Sequence, residues 1–159
     1  MGQRLDSRFT NLRVLLEDSY GKLLLGEDAD SGTPVVVDLL SIDGEPGPNE
    51  EMAFRQQVSD LIEIGLPALP VLVEAEHGED GYAAVWSHEG FVPLRMKLGE
   101  DADLSLAQAL DVVYQLADAL NSASGDGHLH LDLSPNSVWV GDSDEGLAVR
   151  IYRYGIHHL

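Results

Sequence analysis

Three side chains able to bind metal or move protons alternate in the stretch His128-Leu129-His130-Leu131-Asp132-Leu133-Ser134-Pro135-Asn136-Ser137. In an extended strand His128, His130 and Asp132 would share one face, as metal ligands can. No fourth ligand or second-shell partner stands out in the sequence, so a structural role outweighs a metal site. The other candidates for chemistry are weaker. A Ser-His-Asp hydrolase needs a G-x-S-x-G elbow, and none is present. Asp28, Asp30 and Ser31 hint at a calcium loop, but the twelve-residue pattern with its closing Glu is missing. The acidic run Asp142-Ser143-Asp144-Glu145 reads as a solvated hairpin tip. His157-His158 reads as an unstructured terminus. Trp86 and Trp139 read as packing residues.

The background against which these residues sit is acidic. Among 159 residues there are 28 acidic and 9 basic ones, a net charge of -19. Such a surface repels phosphate backbones and anionic lipid, which argues against nucleic acid and membrane partners. Solubility is its simplest use, and a basic protein partner is a second. Hydrophobic content of 44% is that of a globular chain. With no cysteine there is no disulfide, thiol nucleophile or thiolate zinc site. The N-terminus carries no apolar core of signal-peptide length, and no apolar run approaches the roughly 20 residues of a membrane span. A cytoplasmic, soluble protein is expected.

The elements that must position the His128–Ser137 stretch follow from periodicity and punctuation. Phe9–Leu16, Lys22–Gly26 and Pro34–Leu40 read as strands of an antiparallel meander, with turns at Glu17–Gly21 and Asp28–Pro34. A helix is predicted from an N-cap at Asn49 to Gly65, with Phe54, Val58, Leu61 and Ile62 on one apolar face. Leu69–Ala75 and Tyr82–Trp86 read as two further strands about the hairpin Glu76–Gly81, and Ser87–Gly90 as a connector. Ser105 and Gln108 form a capping box for a helix over Leu106–Ser122. Ser124–Gly127 breaks it. Ser137–Val140 and Ala148–Tyr152 read as a strand pair about the turn Gly141–Gly146.

This order, with its local motifs, resembles the first half of a serine/threonine protein kinase of bacterial type. His130, Asp132, Leu133 and Pro135 fit the H-R-D-L-K-P-x-N catalytic loop. Tyr20-Gly21-Lys22-Leu23 resembles the end of the glycine-rich loop, and Phe54-Arg55-Gln56-Gln57 the F-x-x-E of helix C. Leu66–Leu69 resembles the turn before strand 4, and Tyr82–Gly90 strand 5 and the hinge. Ala119–His130 is similar to the end of helix E, and Val149–Gly155 to the D-F-G strand. The resemblance implies an α+β fold. Residues 1–90 would be a kinase N-lobe, an antiparallel five-stranded sheet plus one helix. Residues 91–159 would be a truncated C-lobe of long helix, catalytic-loop-like segment and β-hairpin.

The same resemblance implies a degenerate site. Asp38 stands at the phosphate-binding lysine, Gln57 at its helix-C glutamate, Arg153 at the D-F-G aspartate and Ser137 at the second metal ligand. Leu131 and Ser134 replace Arg and Lys in the loop. Asp132 alone keeps its identity, and His130 becomes a structural loop residue. Phosphoryl transfer depends on positioned charges. A like-charge contact at roughly 4 Å costs about 4 kcal/mol at an effective dielectric near 20. A carboxylate facing triphosphate and a guanidinium facing magnesium therefore exclude magnesium-ATP in the usual pose. An Asp38–Arg153 salt bridge closing the nucleotide site is expected, since those two positions face each other in kinases.

The sequence reading is then a pseudokinase, not an enzyme and with no cofactor, serving as an interaction, scaffold or regulatory module. Its alternative is a nucleotide or small-ligand sensor that works without magnesium through Trp86–Gly90. The chain ends just after the D-F-G position, so the large-lobe helices that cover helix E are expected to be missing. Leu106, Leu110, Val112, Val113, Leu116 and Leu120 are accordingly expected to form an exposed surface for another protein or for self-association.

Overall fold

The computed structural model describes residues 8–18, 21–40, 48–78, 81–98, 104–125, 133–144 and 146–153. The described residues form two compact units. The first lies within Met1–Ile62 and Val71–His88, the second within Glu63–Pro70 and Glu89–His158. Among the described residues no helix is long and apolar enough to cross a membrane.

The first unit is built on β1 (Phe9–Asp18), β2 (Gly21–Asp28), β3 (Pro34–Leu40), β4 (Leu72–Gly78) and β5 (Gly81–Ser87). All neighbours pair antiparallel, in the order β1-β2-β3-β5-β4. The centre of this sheet must be apolar on both faces, and β3 is: Val35, Val36, Val37 and Leu40 are all buried. Phe9, Leu24, Val35, Val37, Ala83 and Val85 pack as one cluster on one face. Helix α1 (Pro48–Ile64) supplies Phe54, which is buried and stacks on Tyr82 of β5 at 4.5 Å between ring centroids.

Short turns set the register of this meander. Asp28 ends β2, and its Oδ1 accepts bonds from the Asp30 and Ser31 amides and from the Ser31 hydroxyl. That is an Asx turn, the local use to which a short acidic side chain is suited. It accounts for the Asp28–Ser31 cluster without any metal.

In the second unit, β6 (Val92–Pro93), β7 (Val138–Ser143) and β8 (Gly146–Ile151) form a three-stranded antiparallel sheet. A single turn of helix, α2 (Leu94–Lys97), follows β6, and α3 (Leu106–Gly125) packs on β8. The capping box of α3 is formed reciprocally. The Ser105 amide donates to Gln108 Oε1 at 2.9 Å, and the Gln108 amide donates to Ser105 Oγ at 3.3 Å. Trp139 and Val140 are fully buried, and Trp139 packs on Tyr152 at 4.3 Å between ring centroids.

The architecture is the α+β arrangement expected, an antiparallel five-stranded sheet with a helix and a smaller unit of long helix and hairpin. The differences are local. The apolar signal of β4 begins at Leu69, but Leu66–Leu69 is a turn closed by the Leu69 amide on Leu66 O at 2.9 Å. The acidic tip is shorter than predicted, because β7 runs on through Asp142 and Ser143 and pairs them with Leu147 and Gly146. Helix α1 starts one residue before Asn49, at Pro48, whose fixed φ and missing N–H suit a first helical position. Ile62, assigned to its apolar face, is exposed.

Candidate functional site

Asp38 is the residue that the resemblance sets at the lysine position. It sits in the middle of β3, opposite Leu23 on β2 and Ala84 on β5, with 0% exposure. Strand pairing on both sides leaves the backbone no freedom to turn this side chain outward, because strand geometry fixes the face on which each residue points. A carboxylate placed so deeply is far costlier than one at the surface. Its position is therefore a determined feature of this sheet. Gln57 lies on α1; its side chain falls outside the described residues, as do His130 and Asp132.

The loop that follows is described from Leu133. Ser134 and Ser137 close it on each other. Ser137 Oγ accepts from the Ser134 amide at 2.9 Å and donates to Ser134 O at 3.1 Å. The Ser137 and Val138 amides both reach Ser134 O at 3.1 Å. Pro135 O accepts from the Arg95 amide at 2.9 Å, and Asn136 O from Trp139 Nε1 at 3.1 Å. The Ser137 hydroxyl is thus engaged in holding a turn. Ser137 is buried, and its carbonyl accepts from the Tyr152 amide at 2.8 Å.

That last bond ties the loop to the residue before Arg153. Burial, with Glu89 adding to it, pushes the Tyr152 phenol well above its usual range, so it stays neutral. Arg153 follows with 3% exposure and a φ of 60°, in the left-handed region that non-glycine residues enter uncommonly. Strained backbone of this kind persists where surrounding structure over-determines it, and it clusters at functional sites. Here the surrounding structure is the Ser137–Tyr152 bond and the Tyr152–Trp139 contact. The expected Asp38–Arg153 pair joins residues that fall in separate units.

Sequence reasoning passed over a further cluster in the second unit. Arg150 Nη2 pairs with Glu89 at 2.7 Å, and its guanidinium lies 4.8 Å from the centroid of the Phe91 ring. The stretch Ser87–Gly90 was singled out as a hinge-like connector, with no sign that Glu89 would pair with Arg150. His88 is half-buried, and burial, with Arg13 adding to it, pulls its imidazole below the usual value near 6.5. Among the described residues no group of three or more His, Asp or Glu could hold a metal ion.

The long helix corrects one member of the expected surface. Val112, Ala119 and Ala123 are buried against the unit, while Leu116 and Leu120 are half-buried. Leu106, Leu110, Val113 and Tyr114 are 78%, 60%, 61% and 72% exposed. Val112 therefore belongs to the packed face. At 100° per residue Val112 points away from Leu106 and Val113.

No protein-family model matches the chain. Three curated relatives align with most of it. Serine/threonine-protein kinase pkn2 of Myxococcus xanthus is 28% identical over 162 residues, covering 98% of this chain and 19% of that protein. Serine/threonine-protein kinase PkaB of Streptomyces coelicolor is 28% identical over 138 residues, covering 87% and 33%. Serine/threonine-protein kinase PrkC of Bacillus subtilis is 20% identical over 164 residues, covering 99% and 25%. Among solved structures, Rad53 residues 1–466 in complex with AMP-PNP superposes with a TM-score of 0.76 at 15% identity, covering 94% of this chain and 38% of that one. The fold is that of a protein kinase, and the chain is similar to bacterial serine/threonine kinases while spanning about a fifth to a third of their length. The expectation that the protein is not an enzyme is corrected by these relatives, each of which is named as a kinase.

Proposed function

We propose that this chain is the sheet-lobe and catalytic-loop portion of a bacterial serine/threonine-kinase-like protein, that it serves phosphorylation-linked regulation by binding another protein, and that its nucleotide cleft does not engage ATP through magnesium in the ordinary pose. The observation that carries the reading is the placement of Asp38, a fully buried carboxylate in the middle of β3 where the kinase pattern has a lysine. It supplies no cation where a triphosphate needs one. Arg153 and Ser137 support the same reading. A buried guanidinium stands at a magnesium-binding carboxylate, and a hydroxyl committed to a turn stands at the second metal ligand. Where the whole protein transfers phosphoryl groups, as its relatives' names describe for them, it does so with a different set of charges around the nucleotide.

Equilibrium binding of a fluorescent ATP analogue tests this. The expected result is binding that magnesium does not strengthen, or no binding. Saturable binding that needs no metal would support nucleotide sensing at the hinge. Tight binding that requires magnesium would overturn the proposal.

A further inference from the structure

In the five-stranded sheet β1 stands at one edge and β4 at the other, with β2, β3 and β5 between them. Neighbouring strands lie about 4.8 Å apart, so in a flat sheet these edges would be about 19 Å from each other. Arg8, the residue ahead of β1, nevertheless pairs through Nη1 with Glu74 of β4. It also pairs through Nε with Asp28, at the end of β2, at 3.2 Å. The start of β1 therefore curls back across the sheet. Its register explains how. β1 slips against β2 between Thr10 and Arg13 and again between Val14 and Leu16. Each extra residue bends a strand and increases its twist. Within the first slip Asn11 takes a φ of 56°, which asparagine tolerates, and its amide donates to Glu27 Oε2 at 2.9 Å.

The curl sets Phe9, 2% exposed, onto the apolar face of Leu24, Val35, Val37, Ala83 and Val85. The Arg8 guanidinium lies 5.2 Å from the centroid of the Phe9 ring, and Arg8 O accepts from the Ala29 amide at 2.7 Å. Phe9 is a plug and Arg8 is its fastening.

We infer that residues 8–12 form a strap that opens as a unit while the rest of the sheet stays folded, and that ionic strength sets its position through Arg8. Ahead of the first slip the strand ladder consists of the Phe9–Asp28 and Thr10–Glu27 pairs, so opening breaks a short stretch of pairing. The Arg8 side chain is 42% exposed, so salt reaches both of its ion pairs and screens them. Asp28 divides its work between its two oxygens. Oδ2 receives Arg8 and Oδ1 holds the Ser31 turn, so the turn between β2 and β3 survives when Arg8 leaves. A segment so fastened opens below the free energy of global unfolding. The open strap uncovers Leu24, Val37 and Val85, and so converts a rise in salt into an exposed apolar face. This device is independent of the reading of the nucleotide cleft.

Amide exchange followed by mass spectrometry on the whole chain tests it. The salt is raised from about 0.1 M to 1 M, where the screening length falls from about 10 Å to 3 Å. Peptides over Phe9–Leu12 should exchange about threefold or more faster at the higher salt, and peptides of β3 and β5 should not change. Arg8→Gln should speed the same β1 peptides by about threefold or more at low salt and abolish their salt response. Glu74→Gln should act in the same direction, and the double variant should add little to Arg8→Gln, as for two members of one pair. The salt series on the unaltered protein carries the test should a variant fail to fold. Equal acceleration of β1, β3 and β5 overturns the inference, because Arg8 then serves the sheet as a whole. Unchanged β1 exchange in Arg8→Gln overturns it too, as does a salt response that persists without Arg8.

Discussion

The side chain of Gln115 pairs with the backbone of Val149. Its Oε1 accepts from the Val149 amide at 3.1 Å, and its Nε2 donates to Leu147 O at 2.7 Å. β8 is the last strand of its sheet, so its outer edge would otherwise present open donors and acceptors. One carboxamide closes part of that edge, and Ala68 O accepts the next amide along, that of Ile151, at 2.7 Å. Replacing Gln115 with Ala removes both side-chain bonds from a partly buried strand. We expect it to destabilise the protein by about 1–3 kcal/mol, read as a fall in the urea midpoint at unchanged slope. Gln115→Glu keeps the acceptor but sets a carboxylate against Leu147 O and the Asp111 carboxylate, and should be at least as destabilising as alanine.

Gly141 is set by contact and not by backbone strain. A Cβ built there would lie 2.9 Å to 3.1 Å from three atoms of the Phe91 ring. That ring is buried and is bounded by the Arg150 guanidinium, so it has little room to move. Gly141→Ala should cost about 1–3 kcal/mol by overpacking. The same substitution in a Phe91→Leu background should cost less, and chemical denaturation of the four proteins measures the difference.

The Ser134–Ser137 turn predicts an order of effects. Ser137→Ala leaves the Ser134 amide and carbonyl without the hydroxyl they share, at a cost of about 1–3 kcal/mol. Ser137→Asn restores the kinase-pattern residue but must place a larger side chain in a buried position. It should be no more stable than the alanine variant by thermal unfolding, and magnesium should not raise its midpoint. A magnesium-dependent rise in Ser137→Asn would show that position still open to metal.

Two groups set the pH dependence on the acid side, and both act in the same direction. His88 has a folded value below its unfolded one, near 6.5, because its charged form is poorly solvated and Arg13 repels it. The neutral form is favoured in the folded state, so this stability is present above pH 6.5 and is lost as pH falls through the folded value. Asp28 is also lowered, first by the Ser31 amide and then by the Ser31 hydroxyl, with Arg8 assisting against some desolvation. Its contribution is present above its unfolded value of 3.8 and is lost below it. Subtracting the unfolding curve of His88→Gln from that of the unaltered protein should leave a loss confined to pH below about 6.5. A difference independent of pH between 7 and 5 would contradict the assignment to His88.

Most of the fold was legible because its signals are local. β3 reads from a run of β-branched residues bounded by Pro34, and α3 from a capping box and an apolar repeat. The bounds of β7 and β8 were less legible, since Asp142 and Ser143 look like turn residues and pair as strand residues only because the hairpin continues past its apolar part. β6 was missed because two residues, Val92 and Pro93, carry no period. Exposure on α3 was legible for Leu106, Leu110 and Val113 and not for Val112, because a stripe seen in sequence does not say which of its borders another element covers. At the candidate site, the sequence singled out Asp38, Ser137 and Arg153 by their places in the pattern, and all three are buried polar residues. The tertiary details were not: the hydroxyl exchange between Ser134 and Ser137, the left-handed Arg153 and the Glu89–Arg150–Phe91 cluster all depend on residues distant in sequence or on backbone angles.

The central proposal is that magnesium does not strengthen ATP binding to this chain, because position 38 carries a buried carboxylate where the kinase pattern has a lysine. The direct measurement is the thermal unfolding midpoint in EDTA, in magnesium, in ATP with EDTA, and in magnesium-ATP. A ligand present at a hundred times its Kd adds about 2.7 kcal/mol, which for a chain of this size is a shift of about 5–10 °C. The account predicts that the midpoint in magnesium-ATP does not exceed that in ATP with EDTA once the effect of magnesium alone is subtracted. A saturable rise of several degrees that appears only with metal and nucleotide together would contradict it.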